Sequence, residues 1–248
     1  MIHVLLAAWN ESIAIPRLVK KFEAEFNHAG EYTLWIYDDG SSDETGVVAS
    51  ALAENYPVKV LTHKHNQGLG QTLIDGLNHL AELSAADDVV ITMDCDDTHE
   101  PKYLIPALAK LRSGFDVVIL SRFCEGAGQE GLAWHKTILS AGAGIFLKVL
   151  FPIRGVQEYS CNFRVFRADL LKRAIATFKD DFISLPHLGF VAAPEILIKF
   201  RMLQAKITES PFILRYDQKP TPSTNDSIQT IKGYFALVQK WWLRKLPT

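Results

Sequence analysis

Val89-Val90-Ile91-Thr92-Met93-Asp94-Cys95-Asp96-Asp97 is an apolar run that stops abruptly in carboxylates. A run of this length, bounded by turn residues, predicts a buried strand of a mostly parallel sheet. Carboxylates crowded at a strand end repel one another unless a cation or hydrogen-bond donors offset the charge. Their hard oxygens suit Mg²⁺ or Mn²⁺, which commonly take one or two carboxylates plus phosphate oxygens. Helix capping is the competing reading, because Asp and Thr ahead of Glu100-Pro101 begin a helix well. Capping needs one Asp, however, and three stand here. His99 lies beside them; a lone histidine is more often a hydrogen-bonded structural residue than a participant.

Working outward, similar runs predict strands at Ile2–Ala8, Tyr32–Tyr37, Val58–Thr62 and Val117–Leu120. Helical patterns separate them. The first carries Leu18, Val19, Phe22 and Phe26 on one face, with Pro16 in its opening turn and Gly30 near its end. The second starts near Asp43, a good N-cap. The third carries Leu69, Leu73, Leu77 and Leu80. Strand–helix alternation predicts one α/β, Rossmann-like domain with helices on both sheet faces, and functional residues at the carboxyl ends of the strands. Two further segments fall at such ends. Asp38-Asp39-Gly40-Ser41-Ser42-Asp43 combines acceptors with a glycine that permits a tight turn. His65-Asn66-Gln67-Gly68-Leu69-Gly70 offers close backbone approach at Gly68 and Gly70, followed by free helix N–H groups. Each also reads as a plain turn.

After about residue 126 the pattern changes. Gly126, Gly128 and Gly131 suggest a mobile loop, and a small-residue apolar stretch runs from Ile138 to Phe151. Glu158-Tyr159-Ser160-Cys161-Asn162-Phe163-Arg164 follows, then a helix from about Ala168, a strand near Lys206–Leu214 and a polar loop over 217–227. Arg122, after a buried strand, and Arg164, in an apolar setting, are the better anion-binding candidates among the later cations. The tail carries Tyr234, Phe235, Val238, Trp241 and Trp242 beside Lys240, Arg244 and Lys245. Aromatics beside cations suit a membrane interface, and also ordinary core packing with a solvated basic end.

The 248 residues suffice for one large core, and no linker is polar enough to separate independent domains. A formal charge of −2 argues against a nucleic-acid partner. Three scattered cysteines, Cys95, Cys124 and Cys161, form no disulfide framework and no CxxC pair, which points to a reducing compartment. The N-terminal residues read as a strand, not as a secretory leader. The longest apolar run, Ile138 to Ile153, is broken by Lys148 and falls short of the roughly 18–20 residues that span a bilayer. The expectation is a protein that is soluble or lies on a membrane surface.

Taken in order, these segments resemble family 2 glycosyltransferases of the GT-A fold, within them the dolichol-phosphate mannosyltransferase-like group. Ala8-Trp9-Asn10-Glu11 is similar to the Thr-Tyr-Asn-Glu motif, Asp38-Asp39-Gly40-Ser41 to Asp-Asp-Gly-Ser, and Asn66-Gln67-Gly68-Leu69-Gly70 to Asn-x-Gly-Leu-Gly. Asp94-Cys95-Asp96 resembles the Asp-x-Asp (DXD) metal motif, Asp116 to Arg122 the Asp-Val-Val-x-Gly-Ser-Arg segment, and Lys136 with Ser140 the Arg-x-x-x-Ser pair. Glu158 to Arg164 is similar to Asp-Tyr-Thr-Ser-Gly-Phe-Arg; Gly189-Phe190, Glu195 and Leu214-Arg215-Tyr216 continue the likeness. Departures are Ala7 for Pro, Thr98 for Gln, Leu120 and Asn162 for Gly, Lys136 for Arg and Glu158 for Asp.

The resemblance implies a hexosyltransferase, inverting at the anomeric carbon and dependent on Mg²⁺ or Mn²⁺. Donor and metal would be held by Ala8, Asn10, Glu11, Asp38, Asp39, Gly68, Asp94, Cys95 and Asp96, with Asp94 and Asp96 on the metal. Arg122, Lys136, Ser140 and Arg215 would receive a lipid phosphate, and Asp94, Asp96 and Arg122 would be the catalytic set. Residues 1–125 would form the nucleotide-sugar half, 126–230 the acceptor half, and 231–248 an amphipathic helix or tail. The implied partners are a nucleoside-diphosphate sugar (GDP-mannose foremost), a polyprenyl or dolichyl phosphate, the cytoplasmic face of a membrane and a separate membrane-anchoring subunit. Alternatives remain: UDP-glucose or UDP-GlcNAc as donor, a saccharide hydroxyl as acceptor, or a non-catalytic nucleotide-sugar-binding module. Asp94-x-Asp96-x-Thr98 also resembles the haloacid-dehalogenase-type phosphatase signature, in which the first Asp is the nucleophile. That signature normally opens its domain, whereas here three strands precede it.

Overall fold

The computed structural model describes residues 1–26, 31–188, 190–221, 227–242 and 244. Gly30, Gly189, residues 222–226 of the polar loop, and Leu243 and Lys245 of the tail lie outside the described residues.

The first half alternates as its apolar runs demand: β1 (Ile2–Ala8), α1 (Ala14–Phe26), β2 (Tyr32–Asp38), α2 (Thr45–Leu52), β3 (Val58–Thr62), α3 (Leu69–Leu83), β4 (Val89–Asp94), α4 (Leu104–Arg112) and β5 (Val117–Ser121). The second half contributes β6 (Gly128–Glu130), α5 (Trp134–Leu150), β7 (Arg164–Arg167), α6 (Ala168–Phe178), α7 (Ala192–Met202), β8 (Ile207–Pro211), β9 (Ile213–Arg215) and α8 (Ser227–Trp241). Seven strands form one sheet in the order β3-β2-β1-β4-β7-β5-β8. All pairings in it are parallel except those of β7, which runs antiparallel between β4 and β5.

Side chains alternate across this sheet, because successive residues of a strand face opposite ways. Leu5, Val90, Val117, Ile119 and Phe166 join a core with α3, α6, α7 and α8. Val4, Leu6, Ile91, Met93, Val118 and Leu120 join the opposite core with α1 and α4. Both faces are covered, which explains why the strands read as continuous apolar runs.

Three local expectations change. Asp43 is not the N-cap residue of α2; that position is Glu44, which makes no side-chain capping bond. Asp43 instead accepts the Thr45 N–H at 3.0 Å from one residue further out. The glycine-rich stretch after residue 126 contains β6, which pairs in parallel with β9 as a small second sheet. The late strand is therefore two strands in different sheets, β8 beside β5 and β9 beside β6. No helix among the described residues is long and apolar enough to cross a membrane.

Candidate active site

The strand ends gather as parallel topology requires. Ala8, Glu11, Asp39, Gly68, Asp94, Cys95 and Asp96 line one cleft of about 470 Å³, with Trp9, Pro186 and Lys219. Such a volume is in the range of small-molecule sites. A second cleft of about 260 Å³ is lined by Arg122, Lys136, Leu139, Ser140, Ser160 and Tyr234. Asp94, Asp96, Phe190 and Lys219 line both. The two clefts thus meet at the carboxylates that end β4.

Two turns shape the first cleft. Gly40 adopts φ +62°, and a Cβ there would lie 2.5 Å from the His65 carbonyl carbon, so the β2 and β3 turns touch only because residue 40 has no side chain. At Gly70 a Cβ would overlap the Pro186 carbonyl, so the missing side chain lets Pro186 pack over the start of α3.

The three aspartates that end and follow β4 have different duties. Asp94 makes no hydrogen bond among the described residues through its carboxylate, and 34% of its side chain opens to the cleft. Burial, reinforced by Asp96, nonetheless holds its carboxyl above the ordinary value, although His99, Lys219 and Arg122 oppose this. Asp96 accepts the Thr98 hydroxyl at 2.6 Å and pairs with the Lys219 ammonium. Burial alone would raise it, but Lys219, His99 and the Thr98 hydroxyl together outweigh burial and hold it below the ordinary range. Asp97 has φ +65° and turns away to meet Lys21 at 2.7 Å. The capping reading does not hold: the helical turn Pro101–Tyr103 has Glu100 at its N-cap with no side-chain capping bond, and Asp96 instead closes a turn onto Thr98.

His99 supports Asp94 from behind. Its ring stacks on Phe163 at 4.7 Å, and its Nδ1 accepts the Asp94 amide N–H at 3.2 Å. In the neutral ring the proton is then on Nε2, 3.8 Å from an Asp94 oxygen. Burial lowers the His99 pKa against the pull of Asp94, which favours that neutral form. With Nε2 protonated, His99 is a positioning group and not a ligand.

Glu11 faces the same carboxylates. Its Oε2 is buried with no hydrogen-bond partner among the described residues, and burial, with help from Asp96, Asp94 and Asp43 and against Lys219, raises its pKa to about 7. The folded protein then keeps a proton on Glu11 that the unfolded chain releases near 4.5. More protons bound in the folded state mean that stability falls as pH rises across that window. Glu11→Gln should make that fall shallower in metal-free protein. Melting temperatures at pH 5 and pH 7.5 in chelator check this; an equally steep fall in the variant contradicts it.

The donor set fits a divalent cation. Among the described residues no three His, Cys, Asp or Glu side chains form a ready cage. Asp94 and Asp96 offer two carboxylates facing a cleft, which is what Mg²⁺ or Mn²⁺ needs when phosphates complete the shell.

Arg122 is held rigidly in the second cleft. It forks onto Glu158 at 2.7 and 3.0 Å and also reaches Ser140 at 3.2 Å. Burial works against its charge, but Glu158 more than compensates and keeps it firmly protonated. Neither Nη1 hydrogen is engaged in these bonds. Lys136 sits nearby with its Nζ 3.5 Å from the Tyr216 hydroxyl.

Other sequence candidates lie elsewhere. Asn10 spends its side-chain oxygen on the turn at Ser42 and Asp43. Asp38 accepts the Ser41 amide at 3.0 Å and does not line the cleft. Arg164 is 1% exposed and donates to the carbonyls of Ala193 and Tyr159, so it is a core residue and not an anion receptor. Arg215 lines neither cleft; it pairs with Asp217 at 2.8 Å and Glu130 at 3.3 Å. Lys219, four residues on, is the late cation that reaches the carboxylates, and sequence reasoning missed it. Its position after the Tyr216–Gln218 turn was the available signal.

Comparison with known proteins gives the family and the fold. The model of the family described as "Glycosyl transferase family 2" matches residues 3–175, more than half of the chain. Dolichol-phosphate mannosyltransferase of Pyrococcus furiosus is 26% identical over 212 residues, 85% of this chain and 55% of that protein. Polyprenol monophosphomannose synthase of Mycolicibacterium smegmatis is 28% identical over 173 residues, 68% of this chain and 63% of that one. The chain spans between half and two thirds of the length of these curated relatives. Glucosyl-3-phosphoglycerate synthase of Mycobacterium tuberculosis, crystallised with Mn²⁺, uridine diphosphate and phosphoglyceric acid, superposes with a TM-score of 0.61 at 19% identity, covering 96% of this chain and 78% of that one. The same synthase with Mg²⁺ and uridine diphosphate gives 0.60 at 16% identity, covering 96% and 79%. The shared architecture is the GT-A fold, a single α/β domain with a mostly parallel sheet.

Proposed function

The chain belongs to glycosyl transferase family 2, and from that premise we propose that it moves a hexose from a nucleoside-diphosphate sugar to a polyprenyl phosphate at a membrane surface. Mannose from GDP-mannose is the leading donor, because both curated relatives are named for mannose transfer to polyprenol-type lipids. The observation that carries the reading is the meeting of two unlike clefts at Asp94 and Asp96.

In this reading Asp39 and the Gly68 turn hold the nucleoside, and Asp94 and Asp96 hold Mg²⁺ or Mn²⁺ against the diphosphate. When bound, such a metal stabilises negative charge on the departing diphosphate. Lys219, already on Asp96, adds a cation at the junction. Arg122, Lys136 and Ser140 hold the acceptor phosphate with its oxygen toward the sugar. A phosphate monoester is anionic at neutral pH, its second pKa being about 6, so it needs orientation more than a base. The lining of the second cleft agrees: its carboxylates are Asp94 and Asp96, and the His99 ring is committed to Asp94. This disfavours a saccharide hydroxyl acceptor, which would need a proton acceptor there. The nucleotide-sugar and acceptor halves proposed for 1–125 and 126–230 interleave at this point, since Phe190 and Lys219 also line the first cleft.

Helices α5 and α8 flank the second cleft; α5 exposes Trp134 (75%), Ile138, Ile145 and Val149, and α8 exposes Ile228 and Phe235, with exposed Trp242 directly after it. Phe146 and Phe235 join the two helices at 5.5 Å. This face, next to the phosphate site, is the proposed membrane-facing surface; an anchoring subunit remains a second candidate for it.

Arg122→Lys tests the acceptor assignment. Losing the planar fork should raise KM for the lipid phosphate roughly 10- to 100-fold, the scale of one or two charge-assisted hydrogen bonds, and leave donor KM within a few-fold. A change confined to donor KM would place Arg122 on the wrong substrate.

A further inference from the structure

Asp39 is 4% exposed and lines the first cleft, and three donors saturate most of its carboxylate. Oδ1 accepts the Gln67 N–H at 2.9 Å and faces His63 Nδ1 at 2.7 Å; Oδ2 accepts the Gly68 N–H at 2.8 Å. A carboxylate has about four lone-pair sites, so one remains, on Oδ2, for a ligand. Two of the three donors belong to one turn and move with it. The third comes from His63, at the end of β3, and ties the carboxylate to the sheet. His63 is itself 8% exposed, and its Nε2 lies 3.0 Å from Asp75 on α3. Asp75 in turn takes both bonds of the Gln71 amide, and the Tyr37 ring packs 4.6 Å from the imidazole.

We propose that His63, backed by Asp75, is the positioning residue that fixes the Asp39 carboxylate so that its remaining Oδ2 site meets a donor N–H or O–H of the nucleoside. This rests on the nucleotide-sugar reading of the first cleft. His63 does not touch the ligand; it acts through Asp39. Without it, the carboxylate is held only from the 67–68 turn, and the acceptor site loses its fixed direction. The effect belongs to donor binding, because Asp39 follows β2, which β1 separates from β4 and the carboxylates Asp94 and Asp96.

The experiment uses positional mimics. An Asn amide nitrogen can stand where Nδ1 stands, and a Gln amide nitrogen where Nε2 stands. Dissociation constants of the full chain for uridine, guanosine, adenosine and cytidine diphosphates with Mn²⁺ are measured by calorimetry, and donor KM and kcat by transfer. For whichever nucleotide the wild type prefers, His63→Ala and His63→Gln should weaken binding about 10-fold, with kcat at saturation within about 2-fold. His63→Asn should restore affinity to within about 3-fold of wild type. If His63→Ala fails to fold, the Asn and Gln variants decide the matter. Equal weakening in Asn and Gln, or unchanged binding in Ala, overturns the assignment while the donor reading stands. A wild type that binds none of the four nucleotides overturns both.

Discussion

Replacing Asp94 with Asn is expected to lower transfer by at least about 10³-fold, with Asp96→Asn similar. A metal acting on a leaving diphosphate is worth several kcal/mol, and about 4 kcal/mol corresponds to three orders of magnitude. The two variants should differ in other respects. Among the described residues Asp94 makes no hydrogen bond through its carboxylate, and burial holds it above its ordinary pKa, so a neutral Asn costs the metal-free fold little. Asp96→Asn strands the Lys219 ammonium, which burial disfavours and Asp96 sustains. Melting in chelator should therefore be unchanged or higher for Asp94→Asn and lower for Asp96→Asn. Added Mn²⁺ with nucleotide should stabilise wild type, by mass action, far more than either variant. Full transfer by both variants would remove the metal from the account.

The second large effect is structural. Glu195 and Lys199 are a fully buried ion pair, 2.7 Å apart, one turn from each other on α7. Glu195 also accepts the Ser184 N–H at 2.9 Å, the Ser184 hydroxyl and the Trp241 indole N–H at 3.0 Å. Lys199 donates to the Phe182 carbonyl at 2.7 Å and to that of Asp181. The pair therefore ties α8 and the 181–184 segment to α7. Burial lowers the Lys199 pKa to about 8 against the attraction of Glu195. Glu195→Ala leaves that ammonium buried without its partner, which typically costs about 3–5 kcal/mol. In a chain of this size that is roughly 10 °C of melting temperature. Adding Lys199→Met should recover at least half of the loss, since an apolar pair needs no compensation. A melting temperature within about 2 °C of wild type for Glu195→Ala would show that the network does not hold α8.

The parts of the site legible in the sequence are those fixed by local chain direction. A strand run followed by Asp-Asp-Gly-Ser or Asp-Cys-Asp places carboxylates at one sheet edge whatever the rest of the chain does. That logic located Glu11, Asp39, Gly68, Asp94 and Asp96 in the first cleft. It did not foresee that Asn10 and Asp38 hold turns outside that cleft's lining, because adjacent polar residues in a turn divide between cleft-facing and turn-holding positions, and only the backbone decides which. Pairing across long sequence distances was less legible. Four-residue β7 begins and ends in arginine and gives no apolar run, yet it inserts between β4 and β5. The late cations show the same limit. Arg215 ends β9 and is drawn aside by Glu130 and Asp217, whereas the turn after it delivers Lys219 to Asp96. Likewise Arg164 looked like an anion receptor because its apolar setting was visible, but the carbonyls that satisfy it were not.

Transfer of labelled sugar into an organic-soluble product tests the central claim most directly. The full chain is incubated with a nucleoside-diphosphate sugar, Mg²⁺ or Mn²⁺, and polyprenyl phosphate in vesicles, with free saccharides as competing acceptors. The prediction is that label appears in the lipid extract, released by mild acid, only with metal present and not with Asp94→Asn. Label appearing on saccharide hydroxyls alone, or in no lipid product with any donor, would contradict it.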